Sequence, residues 1–194
     1  MTQVTLSEEQ IKTFQVVADK QAIMEVYARY TRAVDRVDRA LLETVFHPDG
    51  YEEHGGIYAG SSQGFVEFIM PVLEQMGNCT HLIGNIFIDL RGDLAFCEAP
   101  AICFQRAFDK NGEPYDVWLG VRYLDRMEKR NGEWRVARRK CVYDWNRDVP
   151  CAETWFKGLI EELVLDEFIT GRTNKDDPSY EVLSGNFNVP TKST

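Results

Sequence analysis

A chain of 194 residues is long enough for one domain with a real core, and 44% hydrophobic and 12% aromatic content is that of an ordinary globule rather than a fibrous or disordered chain. Its 31 acidic against 22 basic residues give a formal charge of −9, which argues against wholesale binding to phosphate backbones, so no nucleic-acid partner is expected. No apolar run reaches the length of a membrane span, and the polar, acidic start MTQVTLSEEQ does not read as a signal peptide. Cys79, Cys97, Cys103, Cys141 and Cys151 lack CxxC spacing and read as reduced thiols of a cytoplasmic protein.

Helical signals dominate the first quarter. Ser7 and Gln10 can form a capping box, and Ile23, Val26, Tyr27, Tyr30, Val34, Val37 and Leu41 keep a helical period. The helix, or helix pair, should stop by FHPDG at 46–50, where Pro48 and Gly50 punctuate. A short strand around Tyr51 to Glu53 comes next, then the glycine-rich GGIYAGSSQG, then a short helix over FVEFIMPVLEQM. From residue 80 the pattern turns to strands: HLIGNIFIDL, LAFCEAPAICFQRAF, YDVWLGVRYLDRMEKR and EWRVARRKCVYDW. RGD at 91–93 reads as a tight turn, and Asn-Gly at 111–112 and again at 131–132 marks two hairpins. After Pro150 a further helix is expected over 151–170, followed by a polar, extended tail over 171–194. Helices followed by an antiparallel meander predict one α+β domain over 1–194 with its core at about 18–148. A curved sheet wrapped against helices would leave a conical pocket.

Chemistry begins with the few histidines. His81 stands where a strand starts, in CTHLIGNIFIDL, and on residue type alone it could be a hydrogen-bonded core residue. Asp35 lies about 140° from Tyr30 on a helical wheel, at the shoulder of the apolar face. Arg32, Arg36 and Arg39 surround it, so a solvated ion pair is its ordinary reading. If the two meet, a carboxylate accepting from one imidazole nitrogen fixes the tautomer and makes the other nitrogen a better base. Strict alternation along WRVARRKCVYDW places Val136, Arg138, Lys140, Val142 and Asp144 on one face, and Arg135, Arg139, Tyr143 and Trp145 on the other. Lys140 could equally pair with Asp144 or with a helix carboxylate. Along VWLGVRYLDR, Leu119, Val121 and Tyr123 share a face fit for a pocket wall; Met24, Met70 and Met76 read as core filling. No phosphate loop, dinucleotide fingerprint, zinc spacing or Gly-x-Ser-x-Gly elbow is present, so neither a metal nor a cofactor is expected.

The pieces AIMEVYARYTRAVDRVDRALLETVFHPDGYEEHGG, THLIGNIFIDLRGDLA and YLDRMEKRNGEWRVARR, in this order, resemble the SnoaL-like branch of the nuclear-transport-factor-2-like superfamily over about residues 18–148. The resemblance implies a cone, a strongly bent mixed sheet around helices. It also implies the chemistry of that family's lyases, such as scytalone dehydratase, bile-acid dehydratase and hexachlorocyclohexane dehydrochlorinase. Asp35 in TRAVDR and His81 in THLIGN match their aspartate–histidine pair, with the histidine as general base. Tyr51 matches a pocket aromatic after the PDG turn, Lys140 falls where the dehydrochlorinase has an assisting cation, and Tyr30 matches a dehydratase tyrosine. Glu53 and His54, in YEEHGG, depart from the relatives' apolar groups and either extend the polar network or sit at the cone's mouth.

The resulting expectation is a cofactor-independent lyase with catalytic Asp35, His81, Tyr51 and Lys140, and with Tyr30, Glu53, His54, Trp118, Tyr123, Tyr143 and Asp144 toward the substrate. Those aromatics suggest a hydrophobic, ring-bearing small molecule that loses water, halide or formaldehyde; by resemblance, a lignin-derived diarylpropane diol is one example. The alternatives are an isomerase resembling ketosteroid isomerase, with Glu53 as base and Tyr30 as donor, and a non-enzymatic ligand-binding module. A homodimer or homotrimer is expected through the outer sheet face, where the alternation puts Arg135, Arg139 and Trp145.

Overall fold

The computed structural model describes residues 5–153 and 169–185. In chain order the elements are α1 (Glu8–Asp35), α2 (Arg39–Glu43), β1 (Phe46–His54), β2 (Tyr58–Ser61), α3 (Ser62–Glu74), β3 (Cys79–Ile83), β4 (Phe87–Arg91), β5 (Leu94–Phe108), β6 (Pro114–Arg130), β7 (Glu133–Pro150) and α4 (Pro178–Leu183). The strands form one curled sheet in the order β2-β1-β7-β6-β5-β3, with β4 also paired to β5. β1 runs parallel to β7 and every other pairing is antiparallel. This is the expected α+β cone, with helices against the concave face.

The capping box forms as read. Ser7 Oγ accepts from the Gln10 amide at 3.2 Å, and the Ser7 amide donates to Gln10 Oε1 at 2.9 Å. The first turns of α1 stand clear of the body, and burial starts at Asp19, followed by Ile23, Val26, Tyr27, Tyr30, Ala33 and Val34. Asp19 clamps the helix to the β6–β7 hairpin by accepting from Trp134 Nε1 at 2.9 Å and from Lys129 Nζ at 2.8 Å. The helix ends at Asp35 because Val37 takes a left-handed φ of 51° and Asp38 caps α2. Both Asn-Gly pairs turn hairpins; Asn131 and Gly132, at φ 52° and 82°, have the signs of a type I′ turn.

Along β5 the alternation is unbroken, with Ala95, Cys97, Ala99, Ala101 and Cys103 facing the core. Between β6 and β7 it breaks twice. Arg126 pairs with Arg138 and Met127 with Val136, which leaves Ala137 as an extra residue. Gly120 pairs with Trp145 and Val121 with Tyr143, which leaves Asp144 as another. Each bulge reverses the facing of the residues beyond it. Trp134 and Val136 point inward, and past Ala137 it is Arg139 and Cys141 that do so.

The helix expected over 151–170 falls mainly on residues outside those described. In the segment read as an extended tail, Asp177 caps the short helix α4, and the segment docks on α1 and α2. Tyr180 donates to Asp38 at 2.9 Å, Arg32 to Ser179 at 3.1 Å, and Lys175 also bonds Asp38. Among the described residues no helix is long and apolar enough to cross a membrane.

Candidate active site

Asp35 is the last residue of α1 and His81 is central in β3; the packing of α1 on β3 brings them together. His81 Nδ1 lies 2.6 Å from Asp35 Oδ1, and the His81 backbone amide donates to Asp35 Oδ2 at 3.0 Å. Both carboxylate oxygens are thus spent on one residue. The first contact assigns the proton to Nδ1 and leaves Nε2 for chemistry. Both side chains are largely buried. Burial alone would lower the basicity of His81, but its hydrogen bonds with the Asp35 carboxylate, Cys103 and Cys79 outweigh it and hold its pKa well above the usual imidazole value. Cys79 Sγ sits 3.6 Å from Nδ1, and burial raises its thiol pKa. Asp35, Cys79 and His81 offer three possible metal-ligating atoms within 4.8 Å of one another. A metal there would take the oxygen and nitrogen that the dyad already uses.

The interior beside the dyad is aromatic and charged. Tyr30 packs edge-on to Tyr123, with ring centres 5.3 Å apart, and to Phe46 at 6.4 Å. Arg139 is fully buried between them, its guanidinium carbon 4.2 Å from the Tyr30 ring centre and 4.5 Å from that of Tyr123. It donates to both oxygens of Asp125, from Nε at 2.8 Å and Nη2 at 2.7 Å, while its Nη1 has no partner among the described residues. Burial raises the pKa of the Tyr30 and Tyr123 hydroxyls, so both stay neutral donors. Burial likewise pushes the Cys141 thiol up to about 12.

Six predicted residues come together on this inner side: Asp35, His81, Tyr30, Tyr123, His54 and Tyr143. His54 stacks on Phe65 at 5.0 Å and meets the edge of Tyr143 at 6.0 Å. The other five stand outside, and three of them follow from the β1–β7 register. Glu52 is the inward residue of that part of β1, so Tyr51 and Glu53 point out. Their parallel partners are Arg138 and Lys140, which the Ala137 bulge has turned outward. Tyr51 lies under the Arg138 guanidinium at 4.9 Å; Lys140, 52% exposed, pairs with Glu53 at 3.0 Å. The inward cation is therefore Arg139, not Lys140, and Arg139 is absent from the outer face where alternation had put it. Asp144 is itself a bulge residue and bonds Arg122 at 2.8 and 2.9 Å. Trp118, the fifth, faces out on β6 against Phe104.

Sequence reading missed Glu52, Arg139, Asp125 and Cys103. An acidic residue in YLDRM facing RRK across a hairpin was the available signal, but which arginine meets Asp125 depends on the bulge. Two surface depressions lie apart from this interior. One, of about 250 Å³, is lined by Glu43, Phe46, His47, Ser62 and Val66 among others; a second, of about 610 Å³, lies beside Trp118, Trp145 and Arg147. Neither includes Asp35 or His81.

Comparison with known proteins agrees with this architecture. Residues 15–140 match the model of the SnoaL-like domain. An uncharacterized protein of Mycobacterium tuberculosis H37Rv is 26% identical over 126 residues, 63% of this chain and 84% of the relative. A hexachlorocyclohexane dehydrochlorinase of type 2 superposes with a TM-score of 0.65 at 16% identity, covering 74% of this chain and 99% of that one. A Novosphingobium aromaticivorans protein provisionally assigned as a scytalone dehydratase gives 0.63 at 18% identity, covering 72% and 93%. At such identities the two solved structures speak to the fold alone.

Proposed function

The chain belongs to the SnoaL-like domain family, and from that premise we propose that it is a cofactor-independent lyase acting on a hydrophobic, aromatic small molecule. The observation that carries this reading is the 2.6 Å contact between Asp35 Oδ1 and His81 Nδ1, which leaves Nε2 as a base beside an aromatic interior. Nε2 takes a proton from a carbon next to an electron-withdrawing group, Asp35 holds the ring and stabilises the imidazolium, and the electron pair left on carbon expels the leaving group. The unpartnered Nη1 of Arg139 and the neutral Tyr30 hydroxyl are the groups we assign to the developing negative charge.

We assign an elimination with water, halide or formaldehyde as the departing group, a reaction the dyad and the neighbouring donors are equipped for. A lignin-derived diarylpropane diol is our example substrate, since it brings aromatic rings to Tyr30, Tyr123, Tyr143 and His54. The isomerase alternative needs an interior base, and Glu53 points outward to Lys140. We further propose a homodimer or homotrimer through the outer face, where Trp118 and Trp145 are exposed; light scattering that returns a 22.4 kDa monomer removes it.

A screen of aromatic diols, halides and β-hydroxy ketones, followed by product mass, tests the function. Loss of water, hydrogen halide or formaldehyde that disappears in His81→Ala supports the lyase. An unchanged mass with a moved double bond overturns it.

A further inference from the structure

Among the described residues, only Asp35, Cys79 and His81 bring three metal-ligating atoms together, all within 4.8 Å of one another. Cys79 and His81 stand two apart on β3 and so project from one face of the strand, and the end of α1 lays Asp35 over that face. The elimination employs two of the three. Cys79, buried and with its sulfur 3.6 Å from His81 Nδ1, takes no part in it.

The spacing suits a metal ion. Tetrahedral zinc holds sulfur at about 2.3 Å and nitrogen or oxygen at about 2.0–2.2 Å, which sets neighbouring ligand atoms about 3.2–3.7 Å apart. Cys79 Sγ and His81 Nδ1 already stand at 3.6 Å. Asp35 Oδ1 is nearer to Nδ1, at 2.6 Å, because a proton and not a metal lies between them. To admit an ion the carboxylate opens by less than about 1 Å, and the His81 amide, bonded to Oδ2 at 3.0 Å, holds its other oxygen as a pivot. The donor set also chooses among metals. Thiolate and imidazole favour zinc, cobalt and cadmium over magnesium and calcium, which take several oxygen ligands. With Cys79 ionised, two negative ligands and a neutral imidazole cancel the charge of a divalent ion, so the loaded cluster places no net charge in a buried site.

We propose that Asp35, Cys79 and His81 form an inhibitory site for a thiophilic divalent metal ion such as zinc. On binding, Cys79 gives its thiol proton to solvent. His81 takes the ion on Nδ1, and the neutral ring then carries its proton on Nε2. That removes the lone pair which serves as the base, and it turns Asp35 from the ring to the ion. Metal binding and proton abstraction exclude each other, with no change of oxidation state. The inhibition rests on the lyase reading above; the binding does not.

The test titrates metal-free wild type with zinc against a chromophoric chelator, then with cobalt as a spectroscopic probe. One zinc should bind per chain at micromolar concentration, cobalt should give the near-ultraviolet band of a thiolate ligand, and magnesium and calcium should not compete. By heteronuclear NMR the His81 ring should change from the Nδ1–H to the Nε2–H tautomer. Cys79→Ser should weaken zinc by about 100-fold or more and abolish the band, whereas Cys151→Ser, outside the cluster, should keep both. If Cys79→Ser does not fold, the band and the tautomer in wild type decide. Absence of binding at micromolar zinc, binding indifferent to Cys79, or an unchanged tautomer overturns the proposal. On a substrate from the screen, zinc should stop turnover by wild type and a chelator should restore it, while Cys79→Ser keeps whatever rate it has; turnover that requires zinc overturns the inhibitory role. Failure of the lyase reading looks different: no substrate turns over, yet zinc binds with the same band and tautomer.

Discussion

Asp125 and Arg139 face each other across β6 and β7 with no exposed side-chain surface and two parallel hydrogen bonds of 2.8 and 2.7 Å. One more residue along, Lys140 and Glu53 form a pair at 3.0 Å in open solvent. The two neighbouring cations should behave oppositely. Arg139→Met leaves a buried Asp125 uncompensated and should cost about 3–5 kcal/mol, whereas Lys140→Ala should cost less than about 1 kcal/mol. Urea denaturation midpoints at constant slope separate the two cases. Equal losses would mean that the facing of β7 is wrong.

The dyad should behave as a unit. His81→Ala and Asp35→Asn each should lower kcat by about 10²–10⁴-fold on any substrate found by the screen, with the circular dichroism spectrum retained. The double variant should be little worse than the poorer single one, because removing either partner already removes the function of both. Additive losses would show two independent roles.

The raised pKa of His81 sets two pH dependences of defined sign. As a base it works only when Nε2 is unprotonated, so activity should rise with pH along a limb centred above the ordinary 6.5. For stability the sign is opposite. A group bound more tightly by its proton in the folded state stabilises fully below its unfolded pKa of 6.5, and the gain is lost as pH rises through the higher folded value. Asp35→Asn should move the activity limb down in pH and flatten that part of the melting-temperature profile. Histidine ring resonances titrated by NMR check both, and a His81 midpoint below 6.5 in wild type contradicts them.

Asp38 serves two masters. It caps α2 by accepting from the Leu41 amide at 3.2 Å and anchors the tail through Tyr180 and Lys175. Asp38→Ala should cost about 1 kcal/mol or somewhat more from the cap, and should expose residues 171–185 to trypsin at Arg172 and Lys175. Tyr180→Phe should release the tail less and leave the cap intact. Limited trypsin digestion read by mass distinguishes the two.

Much of the scaffold was legible before folding because its signals are local. Ser7 and Gln10 announce a helix start through bonds three residues apart. Asn131-Gly132 announces a hairpin through its φ angles, and the small inward residues of β5 keep a period of two. Asp35 and His81 could be paired in advance only by family resemblance, since 46 residues separate them and no local rule brings a helix end to a strand start. What the tertiary structure alone decided is which way β1 and β7 face. Each bulge adds one unpaired residue, and one residue is enough to exchange inside for outside. Ala137 carries no sequence mark of its role; its extra place is settled by the pairing of Val136 with Met127 and Arg138 with Arg126, and by parallel β1 alongside. That displacement sends Lys140 to solvent and delivers Arg139 to the interior, and a register shift of β1 between Phe46 and Tyr51 sets Glu52 beside Arg139 with Tyr51 and Glu53 facing out, because in a sheet a side chain's face is a property of the pairing and not of the residue.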